Sequence, residues 1–83
     1  MYKNRAKDNR NNLSGLNIKQ LRLNLKEKPS QSAFAEMLQL EGLDVDKNII
    51  QRIESGDRFI TDIELKVIAD VLNTTCEQLM KSQ

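Results

Sequence analysis

Near the middle of the chain, Lys47, Asn48, Gln51 and Arg52 are long hydrogen-bonding side chains of the kind that can read the edge of a base pair. Asparagine and glutamine pair with adenine edges in bidentate fashion, and arginine and lysine pair with guanine. If Ile50 and Ile53 turn inward, helical spacing puts all four on the outer side of one helix. Ile49 is the odd member: exposed, it could touch a thymine methyl; otherwise it packs beneath the segment that precedes it. The exposed face of any helix in a small domain is polar. Residue type alone therefore leaves two readings open, a base-reading face and a plain solvated one.

Other chemistries fail on residue type or spacing. The chain has no histidine, which removes the usual general base, the commonest metal ligand and any Ser-His or Cys-His nucleophile. The run Asp44-Val45-Asp46-Lys47-Asn48 copies the start of a calcium-binding loop. That loop needs glycine where Ile49 stands and a bidentate glutamate where Ser55 stands, so no metal is expected. Asp57, Asp62 and Asp70 read as surface charge. Cys76 sits at a predicted helix start, but as the only cysteine it can form neither an internal disulfide nor a thiolate cluster. A reducing, cytoplasmic location is the simplest expectation. The 83 residues can build one modest core without an enclosed substrate cavity, so neither an enzyme nor a cofactor or small-molecule ligand is expected. No apolar stretch approaches a membrane span, and the N-terminus lacks the apolar segment of a signal peptide.

The elements that must position the four residues are short helices. Ser30, Asp46, Thr61 and Thr75 stand where a side-chain oxygen is needed to take the first free N–H groups of a helix. Thr61 with Glu64 and Thr75 with Gln78 have capping-box spacing. The apolar periodicity predicts helices near 15–27, 31–41, 46–55, 62–72 and 75–81. Ile18, Leu21 and Leu25 form the inner face of the first, which Pro29 closes. Phe34, Ala35, Leu38 and Met37 face inward from the second, which Gly42 ends in a left-handed conformation. Leu43-Asp44-Val45 connects to the third helix, which carries Ile50 and Ile53 and stops at Gly56. Phe59 or Ile60 tucks against the core. Leu65, Ile68, Ala69 and Leu72 form the inner stripe of the fourth helix, ended by Asn73, and Leu79 and Met80 lie on the fifth.

Charge is distributed unevenly. Residues 1–28 carry eight Lys/Arg against two acids, a net +6, and residues 29–83 carry five against ten, a net −5. Residues 1–13 read as a basic arm that follows a phosphate backbone or simply keeps the chain soluble. Residues up to about Asn12 lack periodicity and are expected to be unstructured.

The segments Ile18-Lys19-Gln20-Leu21-Arg22, Pro29-Ser30-Gln31, Phe34-Ala35, Ile50-Gln51-Arg52-Ile53-Glu54-Ser55-Gly56 and Leu65 to Leu72, in this order, resemble the Xre family of Cro/CI-type helix-turn-helix repressors. The resemblance spans about residues 16–80. It implies an all-α, five-helix domain over residues 14–83, with a helix-turn-helix at helices 2 and 3 and helix 3 in the major groove. It strengthens DNA contact for Lys47, Asn48 and Arg52. Gln31 resembles the family residue that holds a DNA phosphate and braces the recognition helix; as the first residue after Ser30, it lies at a positive helix end. Arg58, in the loop after helix 3, suits a phosphate contact. Arg22 could do the same, although its family position is as often an ion pair, here with an acid such as Glu54. The stretch from Gln39 to Val45 is roughly five residues longer than the family's usual turn.

Ile63, Val67 and Val71 form a second apolar stripe on helix 4, which either helix 5 or a second subunit covers; a homodimer is the expectation. The leading functional expectation is a sequence-specific DNA-binding transcriptional regulator, a repressor acting on double-stranded DNA. Its rival is a protein-interaction module on the same fold, such as the antitoxin of a toxin–antitoxin pair.

Overall fold

Every one of the four caps is filled in the computed structural model, which describes residues 10–81. Ser30 Oγ accepts from the Ala33 N–H at 3.1 Å, Asp46 Oδ1 from Ile49 at 2.9 Å and Thr75 Oγ1 from Gln78 at 3.1 Å. Thr61 forms a full capping box: its hydroxyl accepts from the Glu64 N–H at 3.2 Å, and Glu64 Oε1 accepts from the Thr61 N–H at 2.9 Å. Gln78 does not reach back to Thr75, so the second predicted box is half formed. These caps open α2 (Gln31–Leu40), α3 (Lys47–Ser55), α4 (Asp62–Val71) and α5 (Cys76–Leu79), preceded by α1 (Gly15–Asn24). The described residues are thus all-α, with no strand, and none of their helices is long and apolar enough to cross a membrane.

The stops follow from backbone chemistry as well. Gly42 and Gly56 take φ 91° and 88°, and Asn73 takes 57°. Beyond α2, the Leu43 and Gly42 N–H groups return to the carbonyls of Leu38 and Gln39 at 3.0 and 2.9 Å, the paired bonds of a Schellman ending. α1 departs from expectation: it ends at Asn24 instead of running to residue 27. Leu25 is extended and Lys28 left-handed at φ 45°, so the chain needs a full turn to reverse before Pro29, and Leu25 reaches the core from that turn.

α3 is the central element, packed on both α1 and α2, while α4 packs on α2 and α5 on α4. Ile18, Phe34, Ala35, Leu38, Ile50, Ile53, Ile68, Ala69, Leu72 and Leu79 are buried together, as their spacing predicts. Val45 joins them, and Gln39 Nε2 donates to its carbonyl at 2.6 Å, so the long connector is stitched to α2 from within. Ile60 takes the inner place and leaves Phe59 exposed; Met37 is half-buried and Met80 exposed.

The largest correction concerns the segment before α1. Residues 1–9 of the basic arm lie outside the described residues, but Arg10, Asn11 and Asn12 belong to the folded domain. The Asn11 N–H donates to Gly56 O at 2.8 Å, and Asn12 Nδ2 donates to Ile53 O and Arg58 O at 3.0 and 2.7 Å. Arg10 Nη2 bonds to Glu54 O. This strap bonds carbonyls of the last turn of α3, at Ile53 and Glu54, and of the loop that follows, at Gly56 and Arg58. Gly15 permits the close packing, because a Cβ there would collide with the Ile53 carbonyl oxygen.

Candidate nucleic-acid interface

The outer side of α3 is formed by Lys47, Asn48, Gln51 and Arg52, all four exposed. Lys47 and Gln51 lie one turn apart, as do Asn48 and Arg52, so the four make two adjacent stripes. None of these side chains has a hydrogen bond or ion pair with another residue, so their donors and acceptors are available to a ligand. Ile49 is half-buried against the core, the packing alternative of the two open to it.

On the opposite side, Ile50 and Ile53 enter the core and Glu54 is 4% exposed. Glu54 collects three donors. Arg22 Nε donates to its Oε2 at 2.7 Å, Arg22 Nη2 to its Oε1 at 2.9 Å and Gln31 Nε2 to its Oε1 at 3.0 Å. Arg22 Nη1 also donates to Pro29 O at 2.8 Å. The carboxylate thereby ties α3 to α1 and to the start of α2, and Arg22 extends the link to the turn at Pro29. A bidentate pair with every guanidinium nitrogen hydrogen-bonded is the arrangement in which a buried ion pair can offset its desolvation.

The structure gives each expected phosphate ligand an internal partner. Arg22 fills the ion-pair role of its two alternatives, and its burial closes it to a phosphate. Gln31 braces α3 through Glu54 and keeps its side chain half-buried. Arg58 forks onto Glu64, with both N···O distances 2.9 Å, so a phosphate would have to compete with that carboxylate. The hydrogen bond from Arg58 holds the Glu64 carboxyl below the usual glutamate range, with the Thr61 N–H adding to the effect and burial opposing it. The same bond raises the Arg58 guanidinium further above its already high value.

The surroundings are mixed in sign. Asp44 and Asp46 are exposed directly before Lys47, and Glu41 precedes them in the connector. Carboxylates there repel phosphates, so this end of α3 suits the floor of a groove better than a run along a backbone. The expected dimer ridge is divided. Val67 and Val71 are half-buried against the core, while Ile63 is 71% exposed and Phe59, four residues earlier, 55% exposed.

The strap is not legible in the sequence, because an Asn-rich run without periodicity carries no signal for tertiary contact. The only local hint lies in the strap itself, where Asn12 Oδ1 takes the Gly15 N–H at 2.8 Å and so serves the start of α1 in place of Ser14. Comparisons with family models, with curated proteins and with solved structures found no match.

Proposed function

We propose that this chain is a sequence-specific DNA-binding transcriptional regulator of the Cro/CI helix-turn-helix type, a repressor that inserts α3 into the major groove. One observation carries the reading. Lys47, Asn48, Gln51 and Arg52 are exposed and without internal partners on a helix whose other side is clamped by a buried ion pair. A rigid backing with unengaged hydrogen-bonding groups in front is what base readout requires, because a base contact discriminates only when its geometry is held. On this reading Gln31 and Arg22 act as braces of the reading helix, and the basic residues before Arg10 supply attraction to the phosphates. The protein acts in the cytoplasm as a homodimer on a symmetric operator, joined through the exposed first turn of α4 at Ile63.

The second reading, a protein-interaction module such as an antitoxin, draws on the exposed apolar side chains of Ile63 and Phe59. A binding titration at two salt concentrations, on DNA flanking the protein's own gene and on random DNA, separates the two. Asn48→Ala and Arg52→Ala are each expected to weaken the cognate site by about 1–3 kcal/mol and random DNA hardly at all, the loss of a bidentate base contact. If both variants bind every DNA as wild type does, α3 is not a reading head and the interaction module is the better reading.

A further inference from the structure

Two surfaces remain that neither reading uses. On α2, Glu36 and Leu40 lie one turn apart and face away from the core. Leu40 is 87% exposed, more than any other large apolar side chain described. The connector follows it with Glu41 and Asp44, both exposed, and none of the three carboxylates has an ion-pair partner.

α1 carries the complementary pattern. Its outer stripe holds Leu16 and Leu23, 38% and 44% exposed, with Lys19 between them. Lys26 is exposed just past the helix end, and neither lysine is paired. Each surface thus has an apolar centre edged by charge of one prevailing sign, with Glu27 beside Lys26 the one opposing group on the α1 side, and the prevailing signs are opposite. Both helices pack their inner sides on α3 and turn these outer faces to solvent, so the two faces of one molecule do not meet.

We propose that these faces join neighbouring copies of the chain head to tail, the Leu40 face of one copy on the α1 face of the next. Charge complementarity selects a second copy as the occupant: the chain carries both halves of the match, each unpaired at home, and like faces repel. A contact between unlike faces leaves one of each free at the ends, so assembly continues into a ring or an open row instead of closing as a symmetric pair. The contact uses none of the outer residues of α3 and is independent of the DNA reading. Where that reading holds, it makes occupancy of adjacent sites cooperative.

Sedimentation equilibrium of the full chain without DNA tests the contact. Mean mass is expected to rise with protein concentration past the dimer at about 50 mM salt and to fall back at about 500 mM, where charges are screened. Reversing either face, with Lys19→Glu and Lys26→Glu or with Glu36→Lys and Glu41→Lys, is expected to lower the association constant about tenfold or more. A chain carrying all four reversals restores the complementarity and is expected to return most of the loss. Circular dichroism melts check that each variant folds, and Leu40→Asp replaces any pair of reversals that does not. The proposal is overturned if wild type stays monomeric or stops at a dimer. It is equally overturned if single-face variants associate as wild type does, through the Ile63 turn for example, or if the four-reversal chain stays as weak as they are.

Discussion

At its C-terminal end α3 is held by a polar network, through Glu54, the strap of residues 10–12 and the close approach of Gly15, whereas its N-terminal end carries only the local Asp46 cap and the apolar packing of Val45, Ile49 and Ile50, and turns Lys47, Asn48 and Gln51 to solvent. The contrast separates two tasks within nine residues. Buried groups at the C-terminal end fix where the helix points, and the outer residues from Lys47 to Arg52 present groups whose hydrogen bonds the fold does not use. Substitutions at the first end should therefore register in stability, and those at the second in binding. The largest expected effect is at Glu54: Glu54→Ala leaves the Arg22 guanidinium buried without its carboxylate and should cost about 3–5 kcal/mol in denaturant unfolding. Replacing both partners by apolar residues, Arg22→Met with Glu54→Leu, should return much of that loss, since the penalty comes from the stranded charge. A small loss for Glu54→Ala alone would show that α3 is held mainly by apolar contacts.

The strap comes next. Asn12→Ala removes the bonds to Ile53 O and Arg58 O and the acceptor for the Gly15 N–H, and should cost about 3 kcal/mol at roughly 1 kcal/mol net for each. Deleting residues 1–9 leaves all three bonds in place. If Asn12→Ala melts as wild type does, the strap is not part of what holds α3.

This boundary marks how far the sequence could be read. Caps and stops at Ser30, Asp46, Thr61, Thr75, Gly42, Gly56 and Asn73 were legible because each is settled by chemistry within a few residues of itself. Inner stripes were legible for the same reason, since Ile50 with Ile53 and Ile68 with Leu72 follow helical period. Arg22 with Glu54 could be named only as one option, because the two lie 32 positions apart and the pairing depends on how α1 crosses α3. The strap, 46 positions from Arg58, has no periodic signal at all. Phe59 and Ile60 were ambiguous for a different reason: in a loop no period says which neighbour points inward. On α4 the stripe Ile63, Val67 and Val71 was read correctly as a helical spacing, but how far along its length the core covers it was not contained in that spacing.

A smaller effect separates charge from capping at α4. Glu64→Gln keeps a side chain able to reach the Thr61 N–H but loses the ion pair with Arg58, and should cost about 0.5–1 kcal/mol at neutral pH, since Arg58 is partly solvated. Because the folded state holds the Glu64 carboxyl below its usual range, its contribution is complete above the unfolded value of about 4.3 and is lost as pH falls through the lowered folded value. Wild type and Glu64→Gln should therefore differ at pH 7 and converge in acid. Curves that stay parallel down to acid would assign the difference to packing.

The smallest expected change in stability lies at the open end of α3. α4 begins with Asp62 and Glu64 in its first turn, where negative charge suits the helix dipole, and α5 has Glu77 in the same place. α3 has no acid in its first turn and begins with Lys47, a cation at the positive end of the helix. The Asp46 cap is the one carboxylate at this helix end, and the Lys47 side chain has no hydrogen bond or ion pair among the described residues. Lys47→Glu should therefore stabilise the domain by about 0.3–1 kcal/mol, screened at high salt. The same substitution puts a carboxylate where the DNA reading puts a base contact, so binding to DNA should weaken while the melting temperature rises. Opposite movement of the two measurements is the signature of a residue kept for a ligand at the expense of the fold. If Lys47→Glu raises the melting temperature and leaves DNA binding untouched, the open end of α3 does not face DNA; if it lowers the melting temperature, Lys47 serves the fold after all.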